Sequence, residues 1–196
     1  CQIGTTLFRT AMNSGLPIVE RTNHSLVVPY YNDPRNGNPG TDATLYDPQP
    51  DFKFKNNTGH YMLLEAKMNT TTGALYFTLW GTSDGRKGSY TVPVVEKWMP
   101  AGLVRYVETT TFPPGTRHCQ EKANGAIAHF TYNIKKADGL TTSRLFRSYY
   151  HPLPEICFEG VTAQQLTSAL AAPSSTPATD LGPADKFVNV TSLPLK

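Results

Sequence analysis

The 196-residue sequence lacks long apolar runs and is poor in charged residues, which make up 17% of it. No run approaches the roughly 20 apolar residues that a membrane-spanning helix needs, so we expect no membrane span within this sequence. The GxxxxGK[ST] phosphate loop and the GxSxG pattern of serine hydrolases are both missing. The five histidines have no ligand-like spacing, so neither a metal nor another cofactor is expected.

Positive charge is present but modest. The net charge is +3 overall, and residues 85–160 alone carry +4, from ten basic and six acidic side chains. A nucleic-acid-binding protein needs a basic stripe, and this excess is too weak and too scattered for one, so no nucleic-acid partner is expected. The charge suits an anionic cell-wall polymer, or simply a solvated surface.

Aromatic residues make up 11% of the sequence, which also has fifteen glycines and sixteen prolines. Aromatics can build a core, and frequent turn residues favour a β-rich chain. We predict an α+β fold in which residues 1–84 form an N-terminal helix packed on an antiparallel sheet. Residues 85–160 are predicted as a small all-β module, and residues 161–196, rich in Ala, Ser, Thr and Pro, as a flexible, disordered tail.

The first segment begins with an amphipathic helix, predicted over residues 2–14 and stopped by Gly15. A loop dense in Asn, Pro and Gly is predicted over residues 32–41. Short strands and a β-hairpin are also predicted, over residues 16–19, 25–31, 43–46, and 60–67 with 75–81.

Cys1, His24 and Asp42 are the residues best suited to catalysis. Cys1 heads the predicted helix, where unpaired N–H groups and the helix dipole favour a thiolate. A nucleophilic thiolate needs a base; His24 at the start of one strand is the candidate, and Asp42 at the head of the next strand could orient it. The order Cys, His, Asp on helix, strand and strand is that of papain-like and transglutaminase-like thiol enzymes.

Each of these residues also has a simpler interpretation. Cys1 could be a buried core residue or a lipid-modified N-terminus. His24 could be a strand-edge residue bonded to a carbonyl, and Asp42 could cap a turn.

Four residues are candidates for a binding pocket. Thr5, four positions after Cys1, could line the same pocket or bond back to a helix carbonyl. Tyr30, Tyr31 and Tyr46 could form an aromatic wall, or could be ordinary strand packing.

Three cysteines are an odd number, which fits one disulfide and one free thiol. Cys119 and Cys157 both lie in the strand-rich second half and could pair, which leaves Cys1 free. Because the chain opens with its first helix already under way, we expect that further residues precede Cys1.

Several of these motifs together resemble the VanW domain, a family named after accessory proteins of vancomycin-resistance clusters. The motifs are CQIGTTLF, GLPIVER, HS, DAT and DFKFKN, and they extend over residues 1 to about 82. In that family a glycine-rich run usually precedes the cysteine, and a Ser usually stands at the position of Gly4. Residues 90–160 are similar to the G-five-like β extension that often follows; Cys119 and Cys157 flank its motifs, which strengthens the predicted bridge.

The resemblance implies a bacterial cell-envelope or secreted protein that acts on or near peptidoglycan or another cell-wall polymer. On this basis Cys1 is expected to attack a peptidoglycan amide, as in an amidase or transpeptidase. The alternative is a non-catalytic module that binds or scaffolds the cell wall.

Overall fold

The structure, a computed structural model, describes the backbone of residues 1–171 and the side chains of residues 1–167. It is a mixed fold with one N-terminal helix, α1 (Gln2–Asn13), and mostly antiparallel strands. A second helix, α2 (Ala163–Ala171), closes the described part of the chain. None of the helices within these residues is long and apolar enough to span a membrane.

Eleven strands make up the rest of the regular structure in residues 1–171. They are β1 (Ile18–Glu20), β2 (Lys53–Phe54), β3 (Met62–Asn69), β4 (Ala74–Gly81), β5 (Lys87–Tyr90), β6 (Val94–Met99), β7 (Arg105–Thr109), β8 (Arg117–Gln120), β9 (Gly125–Lys135), β10 (Thr141–Tyr150) and β11 (Ile156–Gly160). Strand β9 is central, because it pairs with β10, β5 and β6. Strands β1 and β2 pair, β3 and β4 form a hairpin, and the remaining three lie in the order β7-β11-β8.

The predicted first helix is confirmed and ends as its sequence suggests. Its apolar face buries Phe8, Ala11 and Met12. Gly15 follows with φ +70° and donates its N–H to the carbonyl of Met12, a conformation that glycine adopts without steric cost.

The hairpin of β3 and β4 is also confirmed. Its turn is closed by Gly73, which has φ +68° and donates its N–H to the carbonyl of Asn69 at 2.8 Å. The register places Leu63 opposite Trp80 and Lys67 opposite Tyr76.

Two predicted strands are wrong. Residues 25–31 do not form a strand: they are irregular and end in a 3-10 turn, Pro29–Tyr31, because proline fixes φ and has no N–H for a sheet ladder. Residues 43–46 form no regular strand either; the segment donates two isolated backbone bonds, from the N–H of Thr44 to the carbonyl of Thr22 and from the N–H of Tyr46 to the carbonyl of Pro50.

The chain divides into two compact units. The first combines Cys1–Val107 with Arg117–Phe158. In its core, Phe8 of α1 packs edge-on against Phe146 at 5.7 Å, and Phe146 stacks on Phe130 at 5.2 Å. Helix α1 therefore packs on β9 and β10, and one core joins residues of the two segments predicted as 1–84 and 85–160. The predicted domain boundaries themselves stay a prediction.

The second unit contains Glu108–Thr116 and, within the described residues, the chain from Glu159 to Ala171. Helix α2 begins with a capping box, in which Thr162 and Gln165 each bond the other's backbone N–H through their side chains. The flexible tail predicted from residue 161 is therefore wrong over Ala163–Ala171, where the capping box and the Ala- and Gln-rich composition stabilise a helix. The rest of that predicted tail lies outside the described residues.

Candidate functional site

The start of helix α1 contacts the segment of residues 41–45 through two side chains, those of Thr5 and of the N-cap residue Cys1. The hydroxyl of Thr5 donates to the carbonyl of Ala43 at 3.2 Å and accepts its N–H at 3.1 Å. One turn earlier, Sγ of Cys1 lies 3.2 Å from Oγ1 of Thr44. The Thr5 side chain therefore bonds across to this segment rather than back to its own helix, and the segment runs past the start of α1.

Asp42 is the centre of a buried hydrogen-bond network. Its Oδ1 accepts from Arg21 at 3.1 Å and from the hydroxyl of Tyr150 at 2.5 Å. Its Oδ2 accepts from the backbone N–H of His24 at 2.7 Å and lies 2.6 Å from Nδ1 of the same residue. All of the carboxylate's lone pairs thus face donors, which is what a buried charge requires.

These contacts determine the ionisation of Asp42. Burial opposes ionisation, but hydrogen bonds from His24, the charge of Arg21 and the bond from Tyr150 outweigh it and hold the pKa of Asp42 below its usual value. Burial and the nearby Asp42 charge raise the pKa of Tyr150 far above its usual value. Asp42 is therefore a carboxylate and Tyr150 a neutral hydrogen-bond donor.

Arg21, like Tyr150, is a residue of this network that the sequence analysis missed. Its side chain is 3% exposed and bonds the carbonyls of Asp42 and Gly40 at 2.6 and 2.8 Å. It also donates to the hydroxyl of Ser148 at 2.8 Å, and its guanidinium lies over the ring of Phe8. The signal that could have identified it is a lone arginine at the end of the GLPIVER motif, directly after strand β1.

His24 is oriented by two contacts. Its Nδ1 bonds Asp42, and its ring stacks on Tyr31 with centroids 4.6 Å apart and planes 8° from parallel. Because an ionised Asp42 can only accept, the proton of a neutral His24 sits on Nδ1 and the lone pair on Nε2. Nε2 is buried and has no hydrogen-bond partner among residues 1–171. The interpretation of His24 as a residue bonded to a carbonyl through its ring is therefore wrong.

Cys1 is a free, exposed cysteine at the start of α1. Its sulfur contacts Thr44 and, at 3.9 Å, the carbonyl of Leu45, so the interpretation as a buried core residue is wrong. It makes no hydrogen bond to His24 in the described part of the chain. Thr44 lies two positions beyond Asp42, which is about 7 Å of extended chain. The structure thus joins His24 and Asp42, and the Cys1 sulfur contacts the segment that follows Asp42 without contacting either of them.

Three of the four predicted pocket residues share one cleft. The cleft has a volume of about 310 Å³ and lies between α1, the 3-10 turn and the hairpin turn. Its lining residues are Gln2, Thr5, Thr6, Arg9, Tyr30, Tyr31, Gly73, Ala74 and Leu75. The rings of Tyr30 and Tyr31 meet edge to face at 5.2 Å. Tyr46 lines a different cleft, together with Leu45 and the Asp47–Asp51 region, so the aromatic wall consists of two tyrosines.

The predicted disulfide between Cys119 and Cys157 is confirmed, with an S–S distance of 2.06 Å. The two sulfurs and Glu155 lie close together, and in the described residues they are the group of potential metal ligands. Because the two sulfurs are bonded to each other, they are not thiolate ligands in this state.

Comparison with known proteins identifies a relationship in the first part of the chain. Residues 1–80 match the family described as VanW like protein. A Bacillus subtilis (strain 168) protein with the name "Uncharacterized protein YoaR" is 37% identical over 82 residues, which are 42% of this chain and 24% of that protein. The chain thus matches about a quarter of the length of this relative. The resemblance of residues 1–82 to VanW is confirmed, and the G-five-like extension stays a prediction.

Proposed function

We propose that this chain, with its VanW-like residues 1–80, acts at the bacterial cell envelope and cleaves or transfers an amide bond of peptidoglycan through the thiol of Cys1. The observation that carries the proposal is the His24–Asp42 pair. Nδ1 of His24 bonds Asp42, and Nε2 has no hydrogen-bond partner in the described residues, so Nε2 is the ring nitrogen that can accept a proton as a general base. Cys1 is the nucleophile because it is an exposed free thiol whose sulfur contacts the segment next to this pair.

Asp42 has two tasks in this proposal. It fixes the tautomer that leaves Nε2 of His24 as the proton acceptor, and it stabilises the imidazolium that forms when the proton arrives. Arg21 and Tyr150 keep Asp42 ionised and in place, and the stacked Tyr31 fixes the ring plane. They are positioning residues, because the thiol contacts Thr44 and the Leu45 carbonyl and none of these three side chains in the described part of the chain.

The reaction proceeds in two steps. In the first, the Cys1 sulfur bonds to the amide carbonyl carbon while its proton moves to Nε2 of His24; the C–N bond then breaks and His24 gives that proton to the departing amine. In the second, water or an acceptor amine attacks the thioester and passes a proton through His24 back to the sulfur. Water gives hydrolysis, and an amine gives transpeptidation.

The sulfur must leave Thr44 for this chemistry to occur. Hydrogen bonds between catalytic groups are often long or misaligned without substrate and tighten in the complex. Because Cys1 is exposed and its sulfur is held only by Thr44 and the Leu45 carbonyl, a side-chain rotation of Cys1 is the movement that the proposal requires.

The test is turnover of purified cross-linked muropeptides, followed by mass spectrometry. Cys1→Ala and His24→Gln are expected to remove product formation, while His60→Gln, at an exposed histidine outside the site, retains it. Full turnover by Cys1→Ala rules out the thiol mechanism.

A second candidate function is a non-catalytic cell-wall-binding module. It is favoured by the exposed aromatic side chains on one face of the hairpin, Tyr76 and Trp80, and by the positive charge of residues 85–160. The measurement is retention of the whole chain on purified sacculi. Tight retention by a protein that releases no muropeptide supports this candidate, and no retention at low salt contradicts it.

A further inference from the structure

The cleft beside α1 contains a cation without an ionic partner. Nε of Arg9 donates to the carbonyl of Thr41 at 3.1 Å, and Nη2 donates to the carbonyl of Tyr31 at 2.6 Å and to that of Asn32 at 3.2 Å. Nη2 also bonds the hydroxyl of Thr41. Within residues 1–171, Nη1 has no hydrogen-bond acceptor and the guanidinium has no carboxylate within ion-pair distance.

The carboxylate of Asp33, in the loop that follows the 3-10 turn, is already paired with another arginine. Asp33 is fully buried and forms a two-pronged ion pair with Arg35, whose Nε and Nη2 each lie 2.9 Å from one of its oxygens. Arg35 therefore occupies both oxygens of this carboxylate, and the Arg9 guanidinium acts on it only through its charge. This leaves the positive charge of Arg9 without a paired carboxylate beside the cleft. A half-buried cation in this position favours an anionic ligand.

The remaining walls suit a small polar ligand. The phenol hydroxyls of Tyr30 and Tyr31 face no hydrogen-bond partner in the described chain and can donate or accept. The volume of about 310 Å³ is at the lower end of the range for ligand pockets. Hairpin residues Ala74 and Leu75 add an apolar side, so the cleft combines a positive charge, two hydroxyls and an apolar wall.

We propose that this cleft binds the free C-terminal carboxylate of a short peptide, with Nη1 of Arg9 as the charged donor and Tyr30 as a hydroxyl donor. Carboxylate is preferred to a larger anion because one guanidinium nitrogen, and not the full fork, is available. The apolar wall then takes the side chain of the terminal residue.

The position of Arg9 relative to Cys1 also defines a peptide length; this step rests on the proposed function. Eight helical positions separate the two residues, which is about 12 Å along the axis. An extended peptide covers about 3.3–3.6 Å per residue. A carboxylate at Arg9 therefore places the amide three or four residues from the C-terminus beside Cys1.

The test is calorimetric binding of diacetyl-Lys-D-Ala-D-Ala to the whole chain, compared with the same peptide as its C-terminal amide. We expect the free acid to bind at least tenfold more tightly. Equal affinity for acid and amide, or no binding of the acid, overturns the proposal. Inorganic phosphate is the competitor: weak competition supports a peptide carboxylate site, and competition as strong as that of the free acid overturns it in favour of a general anion site.

Variants locate the site. Arg9→Gln is expected to lower the affinity for the free-acid peptide at least tenfold, and Tyr30→Phe is expected to lower it several-fold. Arg105→Gln, at an exposed arginine outside the cleft, leaves that affinity unchanged. If Arg9→Gln does not fold, the acid–amide comparison on the unaltered chain and Tyr30→Phe still decide. Cys1→Ala is expected to bind the free acid normally, so loss of binding and loss of turnover are separable failures.

Discussion

At the scale of single residues, the candidate site depends on one carboxylate. Asp42 has a side chain that is 3% exposed, and it accepts hydrogen bonds from Arg21, His24 and Tyr150. Arg21 is equally buried and has no other carboxylate beside it in the described residues. Each charge makes the burial of the other tolerable, so removal of one leaves a buried, uncompensated ion.

Asp42→Asn should therefore destabilise the fold by about 3–5 kcal/mol, because it leaves the Arg21 charge without a counter-ion. Urea unfolding followed by circular dichroism measures this. Asp47→Asn, at an exposed aspartate, is the control and should change the free energy of unfolding by no more than about 0.5 kcal/mol. An equal effect of the two substitutions would contradict the role of the network.

The same network predicts how stability responds to acid. The folded pKa values of Asp42 and Asp33 both lie below the ordinary 3.8, as hydrogen bonds and arginine charges outweigh their burial. Between the folded and unfolded values the unfolded chain binds more protons, so this stabilisation is complete well above pH 3.8 and is lost as the pH falls through the folded pKa values. Asp42→Asn should make the fall in unfolding free energy on the acid side of a stability-versus-pH profile shallower.

At the scale of elements, the close approach of α1 and β5 is the tightest constraint. A Cβ on Gly88 of β5 would lie 1.8 Å from the carbonyl oxygen of Met12, which is backbone and cannot rotate away. Glycine is therefore required here by space, and not by a positive φ. The contact fixes the end of α1 against the sheet.

Gly88→Ala is accordingly expected to cost about 1–3 kcal/mol or more, since helix and strand must separate. The matched control is Gly81→Ala in β4, where the nearest atom to the new Cβ is a Met62 side-chain carbon at 3.4 Å; it should be close to neutral. Thermal unfolding of both variants gives the comparison, and similar melting temperatures would count against a rigid α1–β5 contact.

Elements with strong local signals could be predicted from the sequence. The apolar spacing of α1 and its Gly15 stop, and the alternation of β3 and β4 around the Asn69–Gly73 turn, are patterns that neighbouring residues decide. Residues 25–31 were misassigned because Val27, Val28 and the tyrosines favour a strand, while Pro29 imposes a turn. A strand needs a partner, and which segment pairs with which is not a local property.

At the scale of the whole molecule, sequence-distant parts share a core and a covalent link. Phe8 packs with Phe130 and Phe146 across more than a hundred positions. The disulfide joins Cys119 and Cys157 across a separation of 38 residues. Closing a loop of this size restricts the unfolded chain, an effect worth about 2–4 kcal/mol.

Thiol counting tests this arrangement on the folded chain. Alkylation without reductant, followed by mass spectrometry, should label Cys1 alone; alkylation after reduction and unfolding should label all three cysteines. The double variant Cys119→Ser with Cys157→Ser should lose about 2–4 kcal/mol of unfolding free energy and still show one reactive thiol. Three labelled cysteines in the native, unreduced protein would contradict the bridge.

The sequence by itself determined the amphipathic first helix, the hairpin, the choice of Cys119 and Cys157 as a pair, and the VanW likeness of residues 1–80. It also singled out His24 and Asp42, whose contact the structure contains, although their catalytic roles stay a prediction. These features depend on local periodicity, turn chemistry and short motifs, all of which lie within a few neighbouring residues.

Only the tertiary structure decided that Arg21 and Tyr150 complete the Asp42 network, that Cys1 faces Thr44, and that Arg9 lies in a cleft without a counter-ion. Each of these facts concerns groups from separate parts of the chain, from the start of α1 to the end of β10. Their proximity follows from the packing of α1 on β9 and β10, and the free energy of a buried charge depends on every donor around it, wherever in the chain that donor begins.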